Sequence, residues 1–199
     1  MTTREEAVAR LTAPGAPYEI RVEDVRGEDL EVYARRQHSL RELLEASRAF
    51  GDAEYLVTRE RRISFAQHHD EVAALAHVLR TEHGVGKGDR VALCAANCPE
   101  WIVGFWAAVS LGAVAVGMNS MWARPELAHG MELTTPKVLI ADAARARMAD
   151  GMGVPVLTVE EDLPRIAAAH RGAALPEPDG EIAEDDPAVI LFKIGRAHV

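Results

Sequence analysis

At 199 residues the chain has material for one good core, or one and a half domains, and 48% hydrophobic with 27% charged residues is ordinary for a globular protein. A net charge of −9 argues against a non-specific nucleic-acid surface, which needs a basic face, and against docking on anionic lipid. Met1 is followed by Thr-Thr-Arg-Glu-Glu with no apolar stretch of the secretory kind, so the cytoplasm is the expected compartment.

Residues 1–38 are polar and weakly periodic, with Pro14, Gly15 and Pro17 early, and are expected to form an irregular leader. Ser39 caps a helix that begins Leu40-Arg41-Glu42-Leu43-Leu44 and ends near Gly51. Residues 54–58 read as a strand, and Arg59-Glu60-Arg61-Arg62 as a turn leading into Ile63. Ser64-Phe65-Ala66-Gln67 is a capping box opening a helix whose stripe of Phe65, Val72, Leu75, Ala76 and Leu79 runs toward His83, with Gly84 as its stop. Thereafter strands are expected over 91–96, 113–118, 138–141 and 156–159. They alternate with helices over 98–111, 125–133, 143–148 and 161–170, and a last strand covers 188–192.

Short Val/Ile/Leu/Ala strands alternating with amphipathic helices imply parallel strands joined by helical crossovers, buried on both faces. The expected fold class is therefore α/β: an open, mostly parallel sheet with helices on both faces. The expected organisation is a leader (1–38), an α/β subdomain (39–175), an acidic linker (176–187), a strand (188–192) and a tail (193–199). The linker carries Glu177, Asp179, Glu181, Glu184, Asp185 and Asp186, and reads as a solvated connection. Residues 101–123 hold no charge and could span a bilayer on length alone. However, Asn97 as N-cap, Pro99 in the first turn, Glu100 and a stop at Gly112 split the run into a buried helix and a strand, so no stable membrane insertion is expected.

Candidate chemistry is sparse. Residues 84–93, GVGKGDRVAL, suggest a phosphate loop, but the glycines follow a helix and precede a strand, where no helix N-terminus faces an anion. A turn is expected instead, with Gly84 as C-cap and Gly86 and Gly88 at positive φ. Cys94 and Cys98 have no second cysteine pair and read as packed thiols. His68 and His69 point about 100° apart on a helix, so one partly buried and one solvated histidine is expected rather than a shared metal. Met118-Asn119-Ser120-Met121-Trp122 follows the C-terminal end of a parallel strand, where open α/β sheets bind ligands. Trp122 could line a pocket there with Asn119, or staple the next helix to the sheet. No catalytic, cofactor-binding or metal-ligating residue is assigned.

The succession of segments carries more. Ile63-Ser64-Phe65-Ala66-Gln67 comes first, then GVGKGDRVAL at 84–93, then Asn97-Cys98-Pro99-Glu100-Trp101. Leu111-Gly112-Ala113-Val114-Ala115-Val116-Gly117-Met118-Asn119 follows, and then Pro136-Lys137-Val138-Leu139-Ile140-Ala141-Asp142. In this order they resemble the N-terminal half of the large domain of adenylate-forming enzymes, most of all bacterial acyl-CoA synthetases. The resemblance implies an intact parent that activates a carboxylic acid, expected to be a fatty acid, with ATP and Mg²⁺ and passes the acyl group to coenzyme A. It further implies that residues 185–192 lead into a hydroxyl- and glycine-rich phosphate loop, in whose place stands Lys193-Ile194-Gly195-Arg196-Ala197-His198-Val199. The last six of these resemble the translation of a sequencing-library adapter, so 193–199 is expected to be non-native and the natural gene to continue differently after Phe192. The parent's phosphate loop, metal-binding acid and catalytic lysine would then lie past this chain, leaving it inactive and with an open edge and apolar face at its last strand. The alternative is a self-contained small α/β ligand-binding module.

Overall fold

The computed structural model describes residues 2–192. The expected non-native tail, 193–199, lies outside the described residues. The chain divides into two compact units, with the boundary between His38 and Ser39.

The first unit corrects the expectation of an irregular leader. Helix α1, Arg4–Thr12, starts at a reciprocal cap: the Thr3 hydroxyl accepts from the Glu6 amide at 3.2 Å and the Glu6 carboxylate accepts from the Thr3 amide at 2.9 Å. Strands β1, Ile20–Val25, and β2, Glu28–Tyr33, pair antiparallel around a two-residue turn, with Arg26 at φ +57° and Gly27 at φ +86°. Both positive angles suit the twist of a tight hairpin.

The second unit opens with α2, Leu40–Ser47, capped by the Ser39 hydroxyl, which accepts from the Glu42 amide at 3.1 Å. A 3₁₀ turn, Arg48–Phe50, leads into an antiparallel hairpin of β3, Glu54–Val57, and β4, Arg62–Ser64. The tip of this hairpin is residues 58–61, and Arg62, expected in the turn, opens β4 instead. Helix α3, Phe65–Thr81, carries the expected capping box between Ser64 and Gln67. There follow β5 (Arg90–Cys94), α4 (Pro99–Ser110), β6 (Val114–Gly117), α5 (Arg124–Thr134), β7 (Val138–Ala141), α6 (Ala143–Met148), β8 (Val156–Thr158), α7 (Asp162–Ala169) and β9 (Val189–Leu191).

The five strands β5 to β9 form one parallel sheet in the order β8-β7-β5-β6-β9. Its residues alternate between two cores, as the two-residue period of a strand requires. Val91, Leu93, Ala115, Val138 and Ile140 face the cluster built with α2, α3, α4 and α7. Ala92, Cys94, Val116, Leu139 and Ala141 face the cluster that holds Leu127 and Met131 of α5 and Ala146 and Met148 of α6. Both faces of the sheet therefore carry helices, as expected. Gly104 lets α4 lie close to the sheet: a Cβ there would stand 2.9 Å from the Leu93 side chain and 3.1 Å from Ile140.

The uncharged run at 101–123 is α4 followed by β6, and no helix among the described residues is long and apolar enough to cross a membrane. Its entry differs in one detail. Cys98, not Asn97, holds the N-cap position, without a side-chain bond, and Pro99 takes the first helical position, where its missing N–H costs nothing. At the other end of the sheet, β9 pairs only with β6 among the described strands, and Leu191 is 72% exposed.

Candidate functional site

The chain leaves β5 toward β6 on one side and leaves β7 toward β8 on the other, so the sheet's switch point lies at the carboxyl ends of β5 and β7. That is where open α/β sheets leave a crevice for ligands. Asp142, the residue after β7, organises this point. Its carboxylate accepts from the Ala96 amide just past β5 (2.9 Å) and from the Arg145 amide in the first turn of α6 (3.0 Å). It also pairs with the Arg145 guanidinium at 2.9 Å. Burial alone would raise the Asp142 pKa. The two amides and the guanidinium outweigh it and hold the carboxyl below its ordinary value.

Arg145 extends the network to the segment after β6. Its Nε and Nη2 donate to the Ser120 carbonyl at 3.0 and 2.7 Å. The Asn119 side-chain oxygen accepts from the Met121 amide at 2.9 Å, and the Asn119 carbonyl accepts from the Trp122 amide at 3.1 Å. The loop 118–122 is thus a defined turn pinned to α6. Both readings of Trp122 describe part of its position. A Cβ on Gly130 would come within 2.8 Å of the Trp122 ring, so the indole packs tightly against α5. The same ring meets Phe192 edge-on with centroids 4.8 Å apart, and with Pro125, Glu126, His129 and Leu133 the two aromatics wall a mainly apolar groove of about 350 Å³. Asn119 shapes the turn and does not line this groove.

Asp142, Arg145 and Phe192 were not singled out as site residues by sequence. A signal existed for the first: an Asp between a predicted strand ending at 141 and a predicted helix starting at 143 is a preferred N-cap.

Burial accounts for the other candidates. The Cys94 thiol is buried on the α5–α6 face and pushed up to about 11, and half-burial raises Cys98 as well. Neither is an activated nucleophile. The histidine expectation is corrected: His68 is 1% and His69 8% exposed. Two successive helix positions are both covered because α3 is wrapped by the β3–β4 hairpin and the 3₁₀ turn Arg48–Phe50 as well as by α4 and α7. His68 packs on Tyr55 with centroids 4.7 Å apart and finds no hydrogen-bond partner for either ring nitrogen among the described residues, and burial lowers it to about 4. His69 Nε2 lies 3.5 Å from Glu45, too long for a good hydrogen bond.

The glycine loop is a connection between α3 and β5, as expected. Gly84 and Gly88 take φ of +62° and +77°, whereas Gly86 does not adopt positive φ. Gly86 is needed for another reason: a Cβ there would overlap the Asp179 carboxylate. Among the described residues no group of three or more His, Cys, Asp or Glu side chains could hold a metal ion, so these residues do not by themselves fit Mg²⁺.

A family model described as AMP-binding enzyme matches residues 43–192, three quarters of the chain and every element of the sheet. The chain belongs to that family. Its relatives include acyl-CoA ligases, as the order of segments suggested. It is 35% identical over 139 residues to the long-chain-fatty-acid–CoA ligase FadD13 of Mycobacterium tuberculosis, covering 67% of this chain and 27% of that protein. It is 37% identical over 145 residues to the 4-coumarate–CoA ligase-like 3 of Oryza sativa subsp. japonica, covering 63% and 24%. Among solved structures, a Mycobacterium tuberculosis fatty acyl CoA synthetase superposes with a TM-score of 0.68 at 28% identity, over 78% of this chain and 32% of that one. The anthranilate CoA ligase AuaEII, bound to anthranoyl-AMP, superposes at 0.71 with 20% identity over 79% and 32%, a likeness of fold alone. The chain spans about a quarter of the length of those curated relatives and a third of the solved ones.

Proposed function

We propose that the chain forms the opening portion of the large domain of an ATP-dependent carboxylate–CoA ligase, acting in the cytoplasm on a fatty acid. The single observation that carries this reading is the family match over 43–192, which takes in every strand of the parallel sheet. The intact ligase would join the carboxylate to the α-phosphorus of ATP, with pyrophosphate leaving, and the thiol of coenzyme A would then displace AMP from the acyl-adenylate. Bringing a carboxylate against a triphosphate requires charge neutralisation at the reacting oxygens. The described residues hold the ends of β5, β6 and β7 in register through Asp142 and Arg145 and supply one apolar wall, Trp122 with Phe192. This chain's part is scaffold and wall, and by itself it is proposed to turn nothing over.

A chimera tests the reading. Residues 43–192 replace the matching segment of the mycobacterial ligase FadD13, and pyrophosphate release is followed with a long-chain fatty acid, ATP, Mg²⁺ and coenzyme A. Acid-dependent release is expected. A folded chimera that binds ATP yet releases no pyrophosphate refutes it.

A further inference from the structure

The acidic segment 176–187, expected to be a solvated connection, is exposed along much of its length yet tied down at several points. Arg41 of α2 donates from Nη1 to the Pro176 carbonyl at 2.7 Å and pairs with Glu177 at 3.2 Å. Lys87, in the loop between α3 and β5, makes three separate contacts. Its amide donates to Asp179 Oδ1 at 2.9 Å, and its ammonium donates to the Glu181 carbonyl and pairs with Asp186, each at 2.7 Å. Arg80 takes the other Asp179 oxygen at 3.2 Å. Gly86 leaves the space that the Asp179 carboxylate fills. The Lys87 amide holds Asp179, and the Lys87 ammonium Asp186, below the usual carboxylate range.

This strap ends in β9, which has three residues, pairs only with β6 among the described strands, and leaves Val189 and Leu191 exposed. So short an edge strand is marginal on its own ladder. We propose that Lys87 is the catch of an electrostatic latch: while it grips Asp179, Glu181 and Asp186, β9 stays on the sheet and Phe192 stays against Trp122, and when the grip is lost the strap and β9 detach together while β5, β6, β7 and β8 stay folded. Its contacts are exposed ion pairs and hydrogen bonds that salt weakens, so the latch is reversible. It does not rest on the ligase reading, because every contact lies within this chain.

Amide hydrogen exchange on the whole 199-residue chain tests it, because exchange reports local opening. The Ala115 amide donates to the Ala188 carbonyl at 2.9 Å and reports β9. The Leu139 amide donates to the Pro155 carbonyl at 2.9 Å and reports the opposite edge. Lys87→Met removes the two ammonium contacts, to the Glu181 carbonyl and Asp186, and leaves the backbone amide on Asp179; it is expected to speed exchange at Ala115 about tenfold and leave Leu139 unchanged. Gly86→Ala, which evicts Asp179, should act in the same direction, and Lys87→Arg should restore slow exchange. Raising sodium chloride from about 0.05 to 1 M on the unmutated chain should reproduce the selective acceleration, and this holds the proposal to account if a variant fails to fold. Unchanged exchange at Ala115 in high salt, or equal acceleration at Ala115 and Leu139, overturns the latch.

Discussion

Replacing Asp142 by alanine removes several bonds at the switch point at once. The N-cap of α6 is lost, at about 1 kcal/mol. The Ala96 amide loses its acceptor, about 1 kcal/mol more, and the Arg145 guanidinium loses a partner in a setting where the aspartate side chain is only 12% exposed, about another 1 kcal/mol. Their sum, about 2 to 3 kcal/mol, lowers the urea midpoint by about 1 to 1.5 M at a slope of about 2 kcal/mol per molar. Circular dichroism during urea titration at pH 7 measures it. The sign with pH follows from the depressed carboxyl: the ionised aspartate stabilises the fold above its unfolded value of 3.8, and that stability is lost as pH falls through the lower folded value. The deficit of the variant is therefore full at pH 7 and narrows below about 4. A loss under about 0.5 kcal/mol at pH 7, within the range of an ordinary surface substitution, would refute the role given to Asp142.

Two further predictions follow from burial. His68 is held neutral to about pH 4 in the fold but protonates near 6.5 when unfolded, so stability should fall as pH drops from 6.5 to 4, by up to about 3 kcal/mol. His68→Leu should flatten that limb of a pH series of urea midpoints, and an unaltered limb contradicts it. Leu191, 72% exposed on β9, which pairs only with β6 among the described strands, should drive self-association of the chain. Leu191→Lys is expected to shift sedimentation-velocity profiles toward monomer, and unchanged profiles count against an edge-mediated contact.

The order of elements from Ser39 onward was legible because the parallel strands are short apolar runs and their helices begin at capping residues such as Ser39 and Ser64. The first unit was not, although part of its signal was present. Thr3 and Glu6 have the spacing of a capping box, but no residue of α1 is buried, so no apolar stripe announces the helix. The β1–β2 hairpin turns at Arg26-Gly27 rather than Asn-Gly or Asp-Gly, and its strands, IRVEDV and EDLEVY, mix charge into both faces. The anchoring of the acidic strap depends on Lys87 meeting Asp179 and Glu181 across 92 and 94 positions, a pairing that no local pattern encodes. His68 and His69 failed for a related reason: α3 is covered on several sides, which leaves Gln67 and Asp70 exposed at those turns but takes in both histidines. At the candidate site, Trp122 and Asn119 were found through their place after a strand, whereas Phe192 joins them only because β9 crosses to lie beside β6.

The most direct test of the central claim, that these residues are ligase scaffold without chemistry of their own, is pyrophosphate release by the purified chain. It is incubated with ATP, Mg²⁺, coenzyme A and a panel of fatty and aryl acids. The account predicts release at the level of a protein-free control for every acid. Sustained, acid-dependent release that scales with chain concentration would contradict it.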